Sequence, residues 1–256
     1  MTETAGPPAL TQDALLGGRV RLLQPASGYR VAIDPVLLAA AVPAAAGETA
    51  LDVGCGTGAA ALCLAVRVPG LRVVGVERSR DLVRLASDNI ALNALEGRVT
   101  AMTGDLLRPP PRLEPGTFAH VLANPPFLET ARAQAPADPG KAEAHREGEA
   151  DLGAWVRFAL TMARAKGSLT FIHRADRLEQ LLAQFAGRAG DIVIFPLWPG
   201  TGRPARRVIV RVRKGSAAPT RLTPGLVLHE PDGTYTAAAD HVLRHAGALD
   251  LDAGVV

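Results

Sequence analysis

The sequence of 256 residues is poor in cysteine and in aromatic residues, and it lacks long apolar runs. Its two cysteines, Cys55 and Cys63, are too few for a disulfide framework or for a metal site built from cysteine alone. No uncharged run reaches the roughly 18–20 residues of a membrane-spanning helix, and the Ala-rich run between Asp34 and Glu48 contains two prolines. The amino terminus, beginning at Met1, lacks the basic and apolar regions of a secretory signal. We therefore expect a cytoplasmic protein with no membrane partner and no metal.

Acidic residues are missing from one part of the chain. None occurs from Ile192 to His229, a stretch that contains seven basic residues: Arg203, Arg206, Arg207, Arg211, Arg213, Lys214 and Arg221. The net charge of +3 therefore comes from this stretch, because the rest of the chain is slightly acidic. Such a one-sided basic surface is suited to a polyanion such as RNA, although a solvated strand and loop would explain it equally well.

Strands and helices alternate after Glu48. Seven β-rich runs occur, at 49–53, 71–76, 98–103, 118–123, 168–173, 191–197 and 208–212. Helical periodicity lies between them, at 59–68, 80–95, 152–165 and 177–186. Helices of this length between strands imply parallel crossovers, while the short loop before the last strand implies a hairpin. The pattern predicts an α/β, Rossmann-like sheet of seven mostly parallel strands, with helices on both faces and one antiparallel strand.

The whole chain, 1–256, is predicted to form one domain. Residues 1–48 are an extension with a short helix, which Asp34 caps, Pro35 opens and Pro43 ends. Residues 49–214 form the core, and 215–256 form a tail with a helix at 237–245. In the helix at 80–95, Asn89 is expected to face outward with its charged neighbours.

A glycine-rich loop follows the first core strand, in the sequence Asp52-Val53-Gly54-Cys55-Gly56-Thr57-Gly58. Glycines allow a ligand to approach the backbone, and the helix that follows offers free N–H groups. This spacing also satisfies the dinucleotide fingerprint. A carboxylate at Asp52, however, disfavours a pyrophosphate and is compatible with the sulfonium and ammonium groups of S-adenosylmethionine. Cys55 is interpreted as a small filling residue.

Two further carboxylates follow the next two strands. Glu77 ends the second core strand, where it can accept hydrogen bonds from both hydroxyls of a ribose, an arrangement that suits NAD as well. Asp105 follows the third strand, where it either accepts from an adenine amino group or forms a turn.

The fourth strand runs into Asn124-Pro125-Pro126-Phe127. Two consecutive prolines fix the backbone and remove two N–H donors, so their carbonyls point in a set direction. A rigid exit from a strand requires the prolines, but it requires neither the amide before them nor the aromatic ring after them. At the carboxyl edge of a parallel sheet, these groups lie where ligands bind.

These motifs together resemble class I S-adenosylmethionine-dependent methyltransferases that modify planar amino groups. Two further segments, 28–38 and 228–236, resemble more specifically the tRNA(Val) adenine-N6-methyltransferase-like, small-domain family. The resemblance implies that S-adenosylmethionine is the cofactor and that an adenine N6 of tRNA is the acceptor. Phe127 departs from the tyrosine usual in the adenine enzymes.

The resemblance also implies roles for single residues. Cofactor-binding residues are Asp52, Gly54, Gly56, Gly58, Glu77, Asp105 and Asn124. The Asn124 side-chain oxygen and the Pro125 carbonyl would accept both amino hydrogens, and Phe127 would stack on the base. Substrate-binding residues are Tyr29, Arg30, Arg203, Arg206 and Arg207, of which the last three would hold phosphates.

Several other functions fit parts of this pattern. Methylation of guanine N2 in ribosomal RNA and of a glutamine N5 in a protein present the same NH₂ group to the same tetrapeptide. An NAD(P)-dependent oxidoreductase is disfavoured by Asp52, and a catalytically dead RNA-binding module is disfavoured by the intact Asn124–Phe127 segment. His120, in the middle of a strand, is expected to have a packing role. The sequence does not indicate an oligomeric state.

Overall fold

The computed structural model describes residues 9–27, 30–126 and 151–252. The strands in these ranges are β1 (Leu10–Leu15), β2 (Val20–Pro25), β3 (Thr49–Val53), β4 (Arg72–Glu77), β5 (Val99–Thr103), β6 (Phe118–Ala123), β7 (Ala163–Arg174), β8 (Ala189–Gly200), β9 (Arg207–Lys214), β10 (Arg221–Leu222) and β11 (Leu226–His229). The α-helices are α1 (Asp34–Ala41), α2 (Ala59–Arg67), α3 (Arg80–Leu92), α4 (Leu152–Met162), α5 (Leu178–Phe185) and α6 (Ala237–His245). None of these helices is long and apolar enough to cross a bilayer.

One central sheet organises the molecule. Its strand order is β10-β8-β9-β7-β6-β3-β4-β5, and β11 also pairs with β8. The seven predicted strands are all present, and β9 is the single antiparallel strand, between β7 and β8. The two short strands β10 and β11 extend the β8 edge and were not predicted. The mostly parallel, Rossmann-like sheet is therefore confirmed.

Helices cover both faces of this sheet, as predicted. One apolar core lies between the sheet and the helices α1, α2, α3 and α6. The other lies between the opposite face and the helices α4 and α5. In β3 the side chain of Ala50 enters the first core and those of Leu51 and Val53 the second, which is the alternation expected of a strand buried on both faces.

A β-hairpin formed by β1 and β2 precedes the core and was not predicted. Its strand β2 is held by the side chains of Asn89, in α3, and Asn93, which directly follows α3. Asn89 accepts from the Leu23 amide (2.7 Å) and donates to the Leu23 carbonyl (2.9 Å). Asn93 pairs with the backbone of Arg21 in the same way, at 2.8 and 2.7 Å. The two amides thus take the place of a third strand beside β2.

The outward position expected of Asn89 is therefore wrong. The residue is fully buried, and its amide nitrogen also donates to the Thr57 carbonyl of the glycine loop (3.0 Å). A buried amide is stable only when its donors and acceptors are paired. The hairpin and the glycine loop supply these partners, and neither is visible from the periodicity of the helix.

The short helix α1 differs from its prediction at its start. Ile33 occupies the cap position and Asp34 is the first helical residue, with Pro35 next to it. The Asp34 carboxylate forms an ion pair with the Arg207 guanidinium at 2.9 Å instead of capping the helix. This pair ties α1 to the first residue of β9.

Candidate functional site

A cleft of about 1300 Å³ opens at the carboxyl edge of the sheet, where β3, β4, β5, β6 and β7 end. Seven of the predicted site residues line it: Asp52, Gly54, Gly56, Glu77, Asp105, Asn124 and Pro125. Gly58, Arg30 and the three phosphate-binding candidates do not. Tyr29 and Phe127 lie outside the described residues. One cleft therefore collects the carboxylates, glycines and amide that the sequence places at separate strand ends.

The glycine loop turns sharply out of β3. Gly54, Gly56 and Gly58 have φ angles of +68°, +55° and +87°, a region that favours glycine. The amides of Gly54 and Cys55 both donate to the Val76 carbonyl, at 2.8 and 3.1 Å. A Cβ on Gly54 would lie 2.3 Å from the Trp155 ring. The loop is therefore held between the end of β4 and helix α4.

Glu77 ties the glycine loop to the end of β4. Its Oε2 accepts from the Gly56 amide (3.2 Å), and its Oε1 accepts from the Ser79 amide (2.9 Å). Each carboxylate oxygen has a second lone pair, and the residue lines the cleft. It can therefore accept two further hydrogen bonds from a ligand.

Asp52 is buried beneath the glycine loop. Its Oδ2 accepts from the Ala61 amide in the first turn of α2 (3.1 Å). Burial raises the pKa of this carboxyl to about 7, and the nearby Glu77 charge adds to the effect. The protonation of Asp52 thus changes within the physiological pH range.

We expect Asp52→Asn to make the protein more stable above pH 7 than the wild type. The native pKa lies above the usual value of 3.8, so the native state binds more protons than the unfolded state between these values, and wild-type stability falls as pH rises through them. Three pKa units correspond to about 4 kcal/mol as an upper limit. Urea unfolding at pH 5 and pH 8 measures the effect. Equal pH dependence in wild type and variant would contradict it.

Both cysteines are buried thiols. Burial raises the pKa of Cys55 well above its usual value and that of Cys63 to about 12. A Cβ on Gly75 would lie 2.6 Å from the Cys55 sulfur, so this side chain fills the space beside β4. A protonated thiol is a poor nucleophile, which agrees with the interpretation of Cys55 as a filling residue.

Asp105 forms the turn after β5. Its Oδ1 accepts from the Leu107 amide (2.9 Å), and its backbone carbonyl accepts from the Arg108 amide (3.1 Å). It also lines the cleft. The structure therefore shows the turn, and the contact with an adenine remains a prediction.

Asn124 follows β6 at the centre of the cleft. Its Oδ1 is inaccessible to solvent and accepts no hydrogen bond from any described residue. A buried acceptor without a hydrogen bond lowers the stability of a folded protein by about 1–3 kcal/mol. Pro125 beside it is buried, and Pro126 is exposed. Asn124 therefore carries an unpaired acceptor, which a ligand bearing an N–H group would satisfy once the side chain turns this oxygen toward the cleft.

The basic residues predicted to bind substrate lie in different settings. Arg30 pairs with Asp13 at 2.7 Å, and Arg207 pairs with Asp34. Arg203 and Arg206 are exposed in the loop between β8 and β9. This loop is at the same edge of the sheet as the cleft, because β9 begins where β7 ends.

His120 lies in the middle of the sheet, away from the cleft. Its ring nitrogens are 2.8 Å from Glu48 Oε2 and 2.8 Å from Ser168 Oγ. These contacts join β6 to the residue that precedes β3 and to the middle of β7. The packing role expected from the sequence is confirmed by this buried network.

One wall of the cleft was missed by the sequence analysis. It is formed by α4, the end of β7 and α5, and its residues are Asp151, Leu152, Gly153, Trp155, Arg157, His173, Arg177, Gln180 and Gln184. These residues form no short motif, because they come from three elements that meet only in the folded chain. The helical periodicity of 152–165 and 177–186 located the helices without showing which faces reach the cleft.

Comparison with known proteins shows that this chain is similar to methyltransferases. Residues 27–137 match the methyltransferase small domain. A tRNA1(Val) (adenine(37)-N6)-methyltransferase of Porphyromonas gingivalis is 30% identical over 83% of this chain and 86% of its own. A release factor glutamine methyltransferase of Geobacter sulfurreducens is 38% identical, but only over 33% of this chain and 28% of its own.

A solved structure shows the same architecture over nearly the full length. It is a predicted O-methyltransferase from Agrobacterium tumefaciens, 25% identical, with a TM-score of 0.72 over 84% of this chain and 98% of its own. The chain belongs to the small-domain methyltransferases, within the tRNA(Val) adenine-N6-methyltransferase-like family, and its cofactor is S-adenosylmethionine.

Proposed function

We propose that this methyltransferase transfers a methyl group to an exocyclic amino group of a base in RNA, and that this group is adenine N6 in tRNA. The observation that carries the proposal is that Asn124 and Pro125 both line the cleft, and that the Asn124 Oδ1 is unpaired among the described residues. The relative from Porphyromonas gingivalis, which this chain resembles over most of its length, is named for adenine-N6 methylation of tRNA.

The residues at the ends of β3, β4 and β5 fit S-adenosylmethionine. The left-handed glycine loop lets the ligand approach the backbone, since a Cβ on Gly56 would meet only open space. Glu77 has lone pairs that can accept hydrogen bonds from the ribose hydroxyls. Asp105 follows the neighbouring strand β5, where it can accept a hydrogen bond from the adenine amino group. Asp52, in its ionised form, would add a negative potential that suits the cationic groups of the cofactor. The bound cofactor supplies an electrophilic methyl group.

Asn124 and Pro125 would orient the acceptor amine. An amino group attached to a purine ring is planar, because its lone pair is delocalised into the ring. When the Asn124 Oδ1 and the Pro125 carbonyl each accept one amino hydrogen, the nitrogen is drawn toward tetrahedral geometry and its lone pair is directed out of the ring plane. Orientation of this kind can provide effective molarities of about 10⁵ M or more. Phe127, which follows them in sequence, is the proposed stacking partner of the base.

Arg203 and Arg206 are proposed to bind phosphates of the RNA. Both are exposed beside the cleft, in a stretch without acidic residues. Replacing both by glutamine should lower the magnitude of the slope of log K against log salt by about 1.4–1.8, because each phosphate contact contributes roughly 0.7–0.9. Filter binding of tRNA at several salt concentrations measures the slope. Arg188→Gln is the control, since Arg188 precedes β8 at the opposite edge; an equal change there would contradict the proposal.

Methylation of a protein glutamine is the second candidate. The release factor glutamine methyltransferase of Geobacter sulfurreducens matches a third of this chain, and a glutamine amide presents the same NH₂ group. The glutamine methyltransferase matches a shorter part of this chain than the tRNA enzymes do, since these match over most of it.

One experiment separates the acceptors. Total tRNA, ribosomal RNA and release factors from a strain lacking this gene are incubated with the protein and labelled cofactor, and the products are digested for mass spectrometry. We expect N6-methyladenosine in tRNA. N2-methylguanosine in ribosomal RNA, or methylglutamine in a release factor, would replace the proposal by the corresponding alternative.

A further inference from the structure

His173 is a buried residue of the cleft that none of the sequence motifs includes. It lies next to the last residue of β7, is 4% exposed and lines the same cleft as Asn124. A polar side chain at the carboxyl end of a parallel strand is placed to contact a ligand.

The strand order places His173 on the acceptor side of Asn124. The residues proposed for the cofactor follow β3, β4 and β5, and these strands lie on one side of β6. The strand β7 lies on its other side, with Phe171 paired to Ala123. Asn124 is one residue beyond that pair and His173 is two. An acceptor that reaches Asn124 from the side opposite the cofactor therefore meets the end of β7.

Helices α4 and α5 add polar groups to this side. Arg157, Arg177, Gln180 and Gln184 all line the cleft there. A Cβ on Gly153 would lie 2.9 Å from both the Arg157 Nη1 and the Gln184 Oε1. The Asp151 Oδ1 lies 3.3 Å from the same position and 3.7 Å from the Arg157 guanidinium. These groups therefore converge over a glycine, and the wall offers donors and acceptors suited to a polar acceptor such as a base.

His173 is uncharged at neutral pH. Its pKa is lowered to about 4, mainly by burial and then by the charges of Arg177, Arg207 and Arg174, against the opposing effect of Asp176. A neutral imidazole has one N–H donor and one nitrogen acceptor. It can therefore form a hydrogen bond with the edge of a heterocyclic base, where donors and acceptors alternate.

We propose that His173 hydrogen-bonds the ring edge of the acceptor base and orients its amino group toward Asn124. This inference rests on the proposed function. With both amino hydrogens held by the Asn124 Oδ1 and the Pro125 carbonyl, the ring nitrogen beside the amino group of adenine is still an acceptor. The His173 N–H is the donor that completes its recognition, and the β7–α5 junction forms the acceptor half of the cleft.

Two substitutions test this assignment in the full-length protein with tRNA from the deletion strain. His173→Leu removes both polar atoms and should lower kcat/KM for tRNA about 10–100-fold, because a buried hydrogen bond is lost. His173→Gln keeps a donor and an acceptor and should stay within about fivefold of the wild type. Both variants should bind S-adenosylmethionine within twofold of the wild type by calorimetry. His241→Leu, an exposed histidine of α6, is the matched control.

A spectroscopic measurement distinguishes contact with the acceptor from a structural role. In ¹⁵N-labelled wild-type protein, the imidazole signals missing from the His173→Gln spectrum belong to His173. They should keep the shifts of a neutral ring, stay unchanged on adding S-adenosylhomocysteine and move on adding tRNA. Unmoved signals, or a fully active His173→Leu, would overturn the inference while the wild type still methylates tRNA. A wild type that methylates no RNA would overturn the proposed function, and the inference with it.

Discussion

Asn124→Ala should lower the turnover of methyl transfer about 10³-fold while the protein still binds S-adenosylmethionine. The Asn124 Oδ1 makes no hydrogen bond to any described residue, so its removal breaks no hydrogen bond among them. What is lost is an acceptor for the amino group, and with it the orientation of the nitrogen lone pair. Losses of about 10²–10³ are typical when one positioned hydrogen-bonding group is removed from an active site, and orientation adds to this.

Asn93→Ala is the matched control for this variant. Asn93 also carries a side-chain amide, but its oxygen and nitrogen hold the backbone of β2 at Arg21. This variant should therefore lower the melting temperature and leave the turnover of the folded enzyme unchanged. Asn124→Ala should lower the turnover and leave the melting temperature close to that of the wild type. Single-turnover kinetics, cofactor calorimetry and thermal unfolding of both variants decide the matter, and near-normal turnover of Asn124→Ala would remove Asn124 from the proposed mechanism.

The sheet could be predicted from the sequence because its central strands are rich in apolar residues and are bounded by turn residues. β6, for example, is buried along its whole length from Phe118 to Ala123. The hairpin β1–β2 lacked this signal, since β1 alternates between exposed and half-buried residues and packs one face only. The stability of the hairpin depends on Asn89 and Asn93. Helical periodicity predicts that polar side chains such as these face the solvent.

The cofactor half of the cleft was predictable for a different reason. Its residues follow strands directly, so a local motif such as Asp52–Gly58 contains both the strand end and the loop proposed to bind the cofactor. The acceptor half has no such motif. His173 reaches the cleft because β7 lies beside β6, and Arg157 because α4 packs across the sheet; both depend on strand order and helix rotation, which no short segment encodes.

Gly54→Ala should destabilise the protein by about 2–5 kcal/mol and weaken cofactor binding. A residue other than glycine at a φ of +68° costs about 1–2 kcal/mol. The new methyl group would also lie 2.3 Å from the ring of Trp155, which is itself buried, and such overpacking costs about 1–3 kcal/mol. If the loop relieves 2 kcal/mol of this strain by leaving its native position, restoring that position for the ligand lowers affinity about 30-fold.

Two further variants separate the steric effect from the backbone effect. Gly116→Ala has a similar φ of +74°, but its Cβ would meet no atom within 4 Å, so it should show only the backbone cost and normal cofactor affinity. Trp155→Phe, introduced together with Gly54→Ala, removes the ring atoms nearest the new methyl group. The double variant should recover the part of the stability and of the cofactor affinity that the steric clash removes. Urea unfolding and cofactor calorimetry measure both quantities. If the double variant binds no better than Gly54→Ala alone, then contact with Trp155 does not hold the glycine loop in its binding geometry.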